Sequence, residues 1–239
     1  MLDFVDLHTH TIASGHAYNT RNEMVAAAEA KGLKVFAVTE HAPAMPGSCH
    51  EMYFMNYRVL PRTYKDMAVL YGVELNILDY AGTVDLPDYL LMEMDVVLAS
   101  IHTPCYTSGT VKENTDAYLG AMKNPYINII AHPDDARFPI DYETFVKAAR
   151  DCHKILEVNN ASLSPMSFRQ NAEEAYKEML QLCNIYRVPV LMDSDAHVDV
   201  LVGDHTYAMR LLEQEGFPEE LIINANPRML EDYLNWKGR

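Results

Sequence analysis

The sequence predicts an α/β fold with a mostly parallel sheet. Two observations support this class: seven short runs rich in aliphatic and β-branched residues, and stretches with helical spacing of apolar residues between them. Several of the runs are almost continuously apolar, as expected of parallel strands that are buried on both faces. Such alternation over 239 residues indicates a parallel barrel or a doubly wound open sheet. No linker rich in Pro, Gly or Ser divides the chain, so we expect a single domain over residues 1–239.

The predicted strands begin near the N-terminus and recur at intervals that leave room for a helix after most of them. Their ranges are 4–8, 35–39, 69–74, 96–100, 127–131, 155–159 and 188–192. A weaker eighth candidate covers 221–224.

The predicted helices have recognisable ends. Thr20 is a suitable N-cap for a first helix, which Gly32 would end. A closing helix is expected over 227–236, because Pro227 fits the first position of a helix. Two further helices, with apolar residues three and four positions apart, are expected over 141–153 and 173–186.

The composition narrows the function classes. An apolar content of 49% is ample for a buried core and argues against disorder. The net charge is −15, and no run of Lys and Arg forms a basic stripe, which argues against a surface that grips nucleic acid. Bound divalent cations would cancel several of these negative charges locally. Nucleic acid is therefore not an expected partner.

The cysteines and the N-terminus indicate an intracellular protein. The four cysteines lie far apart without a Cys-x-x-Cys pair, so they fit neither a disulfide framework nor a zinc ribbon. The first residues do not show the basic segment followed by an apolar segment that is typical of a signal peptide. No window approaches the 18 uncharged, apolar residues that a transmembrane helix needs. We expect a cytoplasmic protein without a membrane partner.

Residues that bind metals fall at the ends of the predicted strands. In a parallel barrel these ends open on one face, where active sites lie, so ligands remote in sequence converge there. A single histidine at such a place is most often structural, but six of the ten histidines share it. In chain order the residues at or just beyond the strand ends are His8, His10, His41, Glu74, His102, His132, Asp195 and His197.

Two pairs in this set share a spacing that suits ligands. Residues two apart in an extended chain point the same way, so His8 with His10, and Asp195 with His197, each present two side chains to one cavity. Imidazole and carboxylate are ligands that zinc prefers and that manganese or iron also accept. His16 lies in the loop after the first strand. The pattern predicts a metal site.

The motifs around these residues resemble the PHP (polymerase and histidinol phosphatase) family. Within it, the chain is most similar to small, single-domain bacterial phosphatases with three metals, from Phe4 to the terminal helix. The resemblance implies a distorted seven-stranded (β/α)7 TIM-like barrel. The motifs are His8-Thr9-His10-Thr11, Thr39-Glu40-His41, Gly72-Val73-Glu74, Ile101-His102, Ala131-His132-Pro133 and Asp193-Ser194-Asp195-Ala196-His197.

The resemblance also implies three divalent metal ions, with zinc as the expected metal and manganese or iron as alternatives. One departure from the family pattern is Glu40, where many members carry Asp; this residue is outside the ligand set. The implied ligands are His8, His10, Glu74 and Asp195 for one metal; Glu74, His102 and His132 for a second; and His16, His41 and His197 for a third.

The expected function is a metal-dependent phosphoesterase that hydrolyses small phosphate monoesters through a metal-bridging hydroxide. Asp195 is the candidate for a catalytic proton shuttle. The alternatives are a nuclease or histidinol phosphatase within the same family, an amidohydrolase-type enzyme, and a non-catalytic metal-binding protein. An amidohydrolase is disfavoured because no lysine ends a predicted strand, whereas Glu74 ends the third.

Other polar residues are weaker candidates for the site. Arg58, Arg62 and Arg137 are candidates for binding the phosphate, although ordinary solvated charges are the simpler interpretation for each. A further set matches no ligand position and is interpreted as structural: His153 and His205, and the pair Asn159 and Asn160, which would order neighbouring groups. The sequence names neither the natural substrate nor the oligomeric state.

Overall fold

The computed structural model describes residues 4–236, and its central feature is a ring of seven parallel strands. The strands are β1 Val5–Asp6, β2 Val35–His41, β3 Thr63–Tyr64, β4 Met67–Asn76, β5 Val96–Ser100, β6 Ile129–Ile130, β7 Ile155–Asn159 and β8 Val190–Asp193. The parallel strands follow the order β1-β2-β4-β5-β6-β7-β8. The short strand β3 pairs antiparallel with the first residues of β4.

The ring closes between its first and last strands through a seam of single contacts. Thr9 and Ala196 form an isolated parallel bridge, and the backbone N–H of His10 donates to Ala196 O at 2.9 Å. Below them, the N–H of Leu7 donates to Asp193 Oδ1 at 2.6 Å. The sheet is therefore a nearly closed, distorted barrel, as the family resemblance predicted, and the doubly wound open sheet is excluded.

The barrel is buried on both faces, which explains the continuous apolar runs. In β2, Val35 and Ala37 pack in the lumen, while Phe36 and Val38 pack in a larger cluster between the sheet and the helices. Gly72 is required at the contact of β4 with β5, because a Cβ there would lie 1.9 Å from the carbonyl oxygen of Val96. This close approach positions the strand that carries Glu74 two residues later.

Eight α-helices lie between residues 4 and 236. Thr20 caps α1 in a capping box with Glu23, and Asp141 caps α5 by accepting from the N–H of Thr144 at 3.1 Å, so the expected starts of these two helices are confirmed. The helices are α1 Arg21–Ala30, α2 Glu51–Met55, α3 Asp88–Leu91, α4 Val111–Met122, α5 Tyr142–Asp151, α6 Ala172–Tyr186, α7 Thr206–Gln214 and α8 Leu230–Tyr233. Short 3₁₀ helices cover Ile12–Ser14, Asn56–Val59, Ala161–Leu163, Asp199–Leu201, Glu219–Leu221, Ile223–Ala225 and Pro227–Met229.

The prediction of an eighth strand over 221–224 is wrong. This segment forms parts of two 3₁₀ turns, and only Ile222 makes a bridge, with Val190. The reason is that the side chain of Asn224 bonds the backbone of Met192 and of Val5, which holds the segment across the end of the barrel. The closing helix is also shorter than expected, because Pro227 starts a 3₁₀ turn that precedes α8.

Two further observations concern the described residues as a whole. The four cysteines are free thiols, as the sequence predicted. Between residues 4 and 236, none of the helices combines the length and the apolar character needed to cross a membrane.

Candidate metal centre

All nine predicted ligands lie at the carboxyl-terminal end of the barrel, and Glu74 is at their centre. One of its oxygens, Oε2, lies 2.6 Å from His41 Nδ1 and 3.3 Å from His8 Nε2. The other, Oε1, lies 2.7 Å from His132 Nε2 and 3.2 Å from His102 Nε2. Because its two oxygens face different histidines, this fully buried carboxylate is placed to bridge two cations.

Asp195 forms the second carboxylate of the group. Its Oδ1 lies 3.3 Å from His10 Nε2 and 3.6 Å from His8 Nε2. Asp195 has a φ of 54° and His132 a φ of 32°, a region that residues with a side chain rarely adopt. Both residues follow the last position of their strands, so the turn of the backbone aims their side chains over the barrel mouth.

The remaining histidines extend the group toward solvent. His16 Nε2 lies 3.0 Å from His197 Nε2, and the ring of His16 lies 4.9 Å from that of His41. We refer to the nine residues as the metal centre. Its ligand atoms form four overlapping triads within 4.8 Å: His8, His10 and Glu74; His8, His132 and Asp195; His41, Glu74 and His102; and His10, His41 and His197.

These triads agree only in part with the implied division into three ligand sets. Three of the four members of the first set, His8, His10 and Glu74, form one triad, whereas the fourth, Asp195, groups with His8 and His132. His16, which the resemblance assigned to the third set, is in none of the four triads. His41, by contrast, borders Glu74 as well as His197, and His132 borders Asp195 as well as Glu74. Overlap of this kind is expected where cations sit a few ångströms apart, because a central side chain then faces two positions.

The chemistry of the buried atoms fits cations. His8 Nε2, His10 Nε2, His41 Nδ1 and Glu74 Oε2 are buried and lack a hydrogen-bond partner. Buried polar atoms without partners are costly, and those that face one another in a cluster of imidazoles and carboxylates are typical of a metal site. The donor set therefore suits a centre for several divalent ions.

Two outer carboxylates fix the first two imidazoles. Glu157 Oε1 lies 2.6 Å from His8 Nδ1, which must donate its proton and so leaves Nε2 for a metal. Ser14 Oγ donates to Glu40 Oε2 at 2.6 Å, so it accepts from His10 Nδ1 at 3.1 Å and selects the same tautomer there. Glu40 thus orients His10 through Ser14.

The charges of the centre suit cation binding. Burial alone would raise the pKa of Glu74, but the neighbouring His102, His8 and His41 hold it well below its usual range. The pKa of Asp195 is likewise low despite burial, because His8 and other cationic groups face it. Burial, then His41 and His197, lower the pKa of His10. Both carboxylates are therefore anionic, as metal binding requires. Burial would lower the pKa of His8, but Glu157, Glu74 and Asp195 raise it well above its ordinary value, so His8 must release a proton when it binds a metal.

A cavity of about 770 Å³ opens above the metal centre. Its floor is formed by members of the centre, including His16, His41, His102, Asp195 and His197. Its outer wall comes from loops that follow β2, β5, β6 and β7 and from the segment before α7. A small molecule that enters this cavity can reach the metal centre.

The sequence profile of the PHP domain matches residues 6–215, which is most of the chain and includes all nine ligand positions. The chain belongs to the PHP domain family. A probable phosphatase from Clostridium novyi (strain NT) is 42% identical over 235 residues, which cover 98% of this chain and 96% of that protein. A probable phosphatase from Caldicellulosiruptor bescii is 43% identical over 235 residues, with 98% and 97% covered.

Among solved structures, this PHP domain is similar to histidinol phosphate phosphatase from Lactococcus lactis subsp. lactis. That crystal structure, complexed with zinc, L-histidinol and phosphate, aligns with a TM-score of 0.63 over 91% of this chain and 95% of the other. The two sequences are 18% identical, so the likeness establishes the shared fold alone.

The sequence analysis missed one cation of the PHP domain's cavity, Arg169. Its side chain is only 9% exposed, and its Nη2 lies 3.4 Å from Asp195 Oδ2. Nη1 donates to Ser162 Oγ at 2.9 Å, which fixes the guanidinium at the edge of the metal centre. Burial opposes its charge, but Asp195 and Asp134 raise the pKa of Arg169 above its ordinary value. Arg169 lies in an irregular loop after β7, where no periodicity draws attention to it.

The three arginines that the sequence singled out have different positions. Arg137 lines the cavity, where its Nε bonds Asp135 Oδ2 at 2.9 Å. Arg62 instead lies 3.3 Å from Asp95 and over the ring of Tyr71, and neither Arg62 nor Arg58 is among the cavity's lining residues. Neither residue is therefore placed to bind a phosphate in this cavity. Arg58 is exposed, in agreement with the simpler interpretation, whereas Arg62 is partly buried in its ion pair with Asp95.

The residues interpreted as structural are confirmed in that role. His153 stacks on Tyr233 with ring centroids 4.1 Å apart, far from the metal centre, and His205 is buried beside Asp6. Asn159 Nδ2 donates to the outer carboxylate Glu157 and to Asp195 of the centre, and so it orders both carboxylates. Asn160 Oδ1 accepts from the backbone at the start of α7.

Proposed function

We propose that this PHP domain is a metal-dependent phosphatase that hydrolyses small phosphate monoesters. The observation that carries the proposal is the metal centre itself: two buried carboxylates and seven histidines at the floor of an open cavity, with the guanidinium of Arg169 at the edge. The relatives named as probable phosphatases, 42% and 43% identical over nearly the whole chain, support the same activity.

The nine ligands are proposed to hold three divalent ions, with zinc as the expected metal. Nitrogen and oxygen donors suit zinc, and they also accept manganese or iron. The zinc of the Lactococcus lactis structure agrees with this expectation. When bound, the ions supply positive charge to the phosphate dianion and activate water as the nucleophile.

Within the chain, Arg169 is proposed to bind a phosphoryl oxygen. Its guanidinium is held by Ser162 Oγ and faces the cavity beside Asp195, so it needs little reorganisation to contact a phosphate above the centre. A planar guanidinium binds two phosphoryl oxygens at once, which fixes the orientation of the ester.

Asp195 is proposed to relay a proton as well as to bind metal. Its Oδ2 faces Arg169 and Asn159, while Oδ1 faces the histidines, so the two oxygens are available for separate tasks. Since its pKa is low, Asp195 is ionised at neutral pH and has no proton to donate at rest. It is therefore expected to carry a proton only transiently. A cytoplasmic location and a small phosphorylated substrate remain predictions from the sequence.

The test is a comparison of three activities on one metal-loaded preparation. The protein is stripped with a chelator and reloaded with zinc, manganese or iron, and the metal content is measured by elemental analysis. Phosphate release is then followed on a panel of small monoesters that includes histidinol phosphate, beside nuclease activity and ammonia release from amides. We expect about three ions per chain and activity on small monoesters.

Each alternative has its own outcome in this comparison. Release of nucleotides from DNA without turnover of small esters would favour a nuclease. Ammonia release would favour an amidohydrolase. Full metal loading without any turnover would favour a metal-binding protein and contradict the proposal.

A further inference from the structure

The outer part of the cavity presents apolar side chains to solvent. In the loop between β7 and α6, Met166 is 91% exposed and Phe168 is 72% exposed, and both line the cavity. Leu201, which is 46% exposed, adds apolar surface to the same wall. Covering exposed apolar surface at the mouth of a ligand site with a ligand is favourable, because it removes that surface from water.

The guanidinium of Arg169 contacts both the ring of Phe168 and a residue of the metal centre. The guanidinium carbon of Arg169 lies 5.6 Å from the centroid of the Phe168 ring, and that of Arg137 lies 5.4 Å from it. Guanidinium groups at such distances are attracted to the ring and restrain its position. Arg169 also borders Asp195. The ring is therefore held one side chain away from the place where the phosphate is proposed to bind.

Several polar groups of the outer cavity are engaged within the protein. Asp135 is paired with Arg137, and Asp204 Oδ1 accepts from the N–H and the hydroxyl of Thr206. Ser167 Oγ accepts from the N–H of Arg169 at 3.1 Å. A leaving group rich in hydroxyls, such as a sugar, would need free donors and acceptors on this wall to replace its water. An apolar leaving group needs none.

We infer that the substrate is a phosphate monoester whose leaving alcohol carries an apolar aromatic ring, and that this ring packs against Phe168 and Met166 while the phosphate lies at the metal centre. The inference rests on the proposed phosphatase function for its chemistry. We call the surface formed by Phe168 and Met166 the ring seat. The proposal of this ring seat rests only on the exposure and position of these two side chains. Aromatic pairs contribute beyond the area they bury, so the ring distinguishes such esters from alkyl ones.

Benzyl phosphate and ethyl phosphate provide a matched pair of substrates, because both are esters of primary alcohols and differ mainly in the ring. We expect the wild-type kcat/KM to be at least about tenfold higher for benzyl phosphate. Phe168→Ala should lower the benzyl value about tenfold, mainly through KM, and leave the ethyl value within about twofold. Phe168→Tyr, which keeps the ring, should retain the preference. Ile185→Ala is the control, since Ile185 is 67% exposed on α6 and lies outside the cavity.

Binding of benzylphosphonate and ethylphosphonate, followed by calorimetry on the metal-loaded protein, separates the two levels of the proposal. If neither ester is hydrolysed but benzylphosphonate binds more tightly, and Phe168→Ala removes the difference, the phosphatase function fails and the ring seat stands. If both esters are hydrolysed at similar rates, or if Phe168→Ala weakens both to the same extent, the ring seat is overturned and the phosphatase function stands.

Discussion

Asn76 determines which nitrogen of His102 is available to a metal. Asn76 Oδ1 lies 2.8 Å from His102 Nδ1. The amide cannot be turned around, because Asn76 Nδ2 donates to Asp85 Oδ2 at 2.7 Å and to the carbonyl of Ala42 at 3.2 Å. His102 Nδ1 therefore carries the proton, and the lone pair on Nε2 faces Glu74 Oε1 at 3.2 Å. Asn76 is a positioning residue, two places after Glu74 on the same strand.

Replacement of Asn76 by alanine should weaken metal binding at His102. Without the acceptor, the imidazole loses its fixed tautomer and orientation, and losses of this kind cost about 10- to 100-fold in metal affinity. Chelator competition on the loaded protein measures the effect, with elemental analysis as a second readout. Asn22→Ala, in an exposed position of α1, is the control. Wild-type affinity for every ion in Asn76→Ala would show that the contact does not position His102.

Glu74→Ala should remove two of the expected three ions and most of the activity. Its oxygens face His8 and His41 on one side and His102 and His132 on the other, so no other side chain replaces it. Elemental analysis gives the count, and circular dichroism checks the fold. Glu213→Ala, at an exposed position of α7, should keep the full complement. Retention of all ions by Glu74→Ala would contradict a bridging role.

Arg169→Ala should lower kcat/KM for phosphate esters by about 100- to 1000-fold, the range seen when one preorganised donor to a developing charge is removed. Arg169→Lys should recover only part of this, since lysine keeps the charge but lacks the planar fork that Ser162 and Asp195 hold in place. Arg210→Ala, exposed on α7, is the control for a general loss of positive charge. Metal content must be measured alongside, because Arg169 contacts the ligand Asp195. A loss of activity that follows a loss of metal in proportion would assign Arg169 to stability of the centre instead.

The convergence of the predicted ligands could be read from the sequence because the carboxyl ends of parallel strands meet at one end of the barrel. β5 and β7 have the predicted bounds, and the histidines beyond the strand ends meet at the mouth as expected. Closure of the barrel could not be predicted from the sequence pattern, because it depends on an isolated bridge between Thr9 and Ala196. The family resemblance supplied that part of the prediction.

Contacts made by irregular segments were the part that local pattern could not supply. Arg169 acts from a loop without periodicity, and its neighbours Ser162 and Asp195 become apparent only in three dimensions. For the same reason, the apolar run at 221–224 resembled a strand, although side-chain bonds from Asn224 hold it in 3₁₀ turns. Tertiary contacts overrode local propensity there.

The N-cap of α5 gives a pH-dependent prediction away from the metal centre. Hydrogen bonds from the hydroxyl and the N–H of Thr144 lower the pKa of Asp141 below its ordinary value. The unfolded chain then binds more protons than the folded one at acid pH, so the stabilisation is complete above the unfolded pKa of about 3.9 and is lost as the pH falls through the lower folded pKa. At pH 7, Asp141→Ala should destabilise the protein by about 0.5–2 kcal/mol, the usual effect of losing a cap. Asp141→Asn, which keeps an acceptor, should be close to wild type.

Chemical denaturation of wild type, Asp141→Ala and Asp141→Asn at pH 7 and near pH 3 tests this prediction. Comparing the three proteins at each pH cancels the common effect of acid on the metal centre. A difference between wild type and Asp141→Ala that stays constant from pH 7 to pH 3 would show that the carboxylate charge does not contribute.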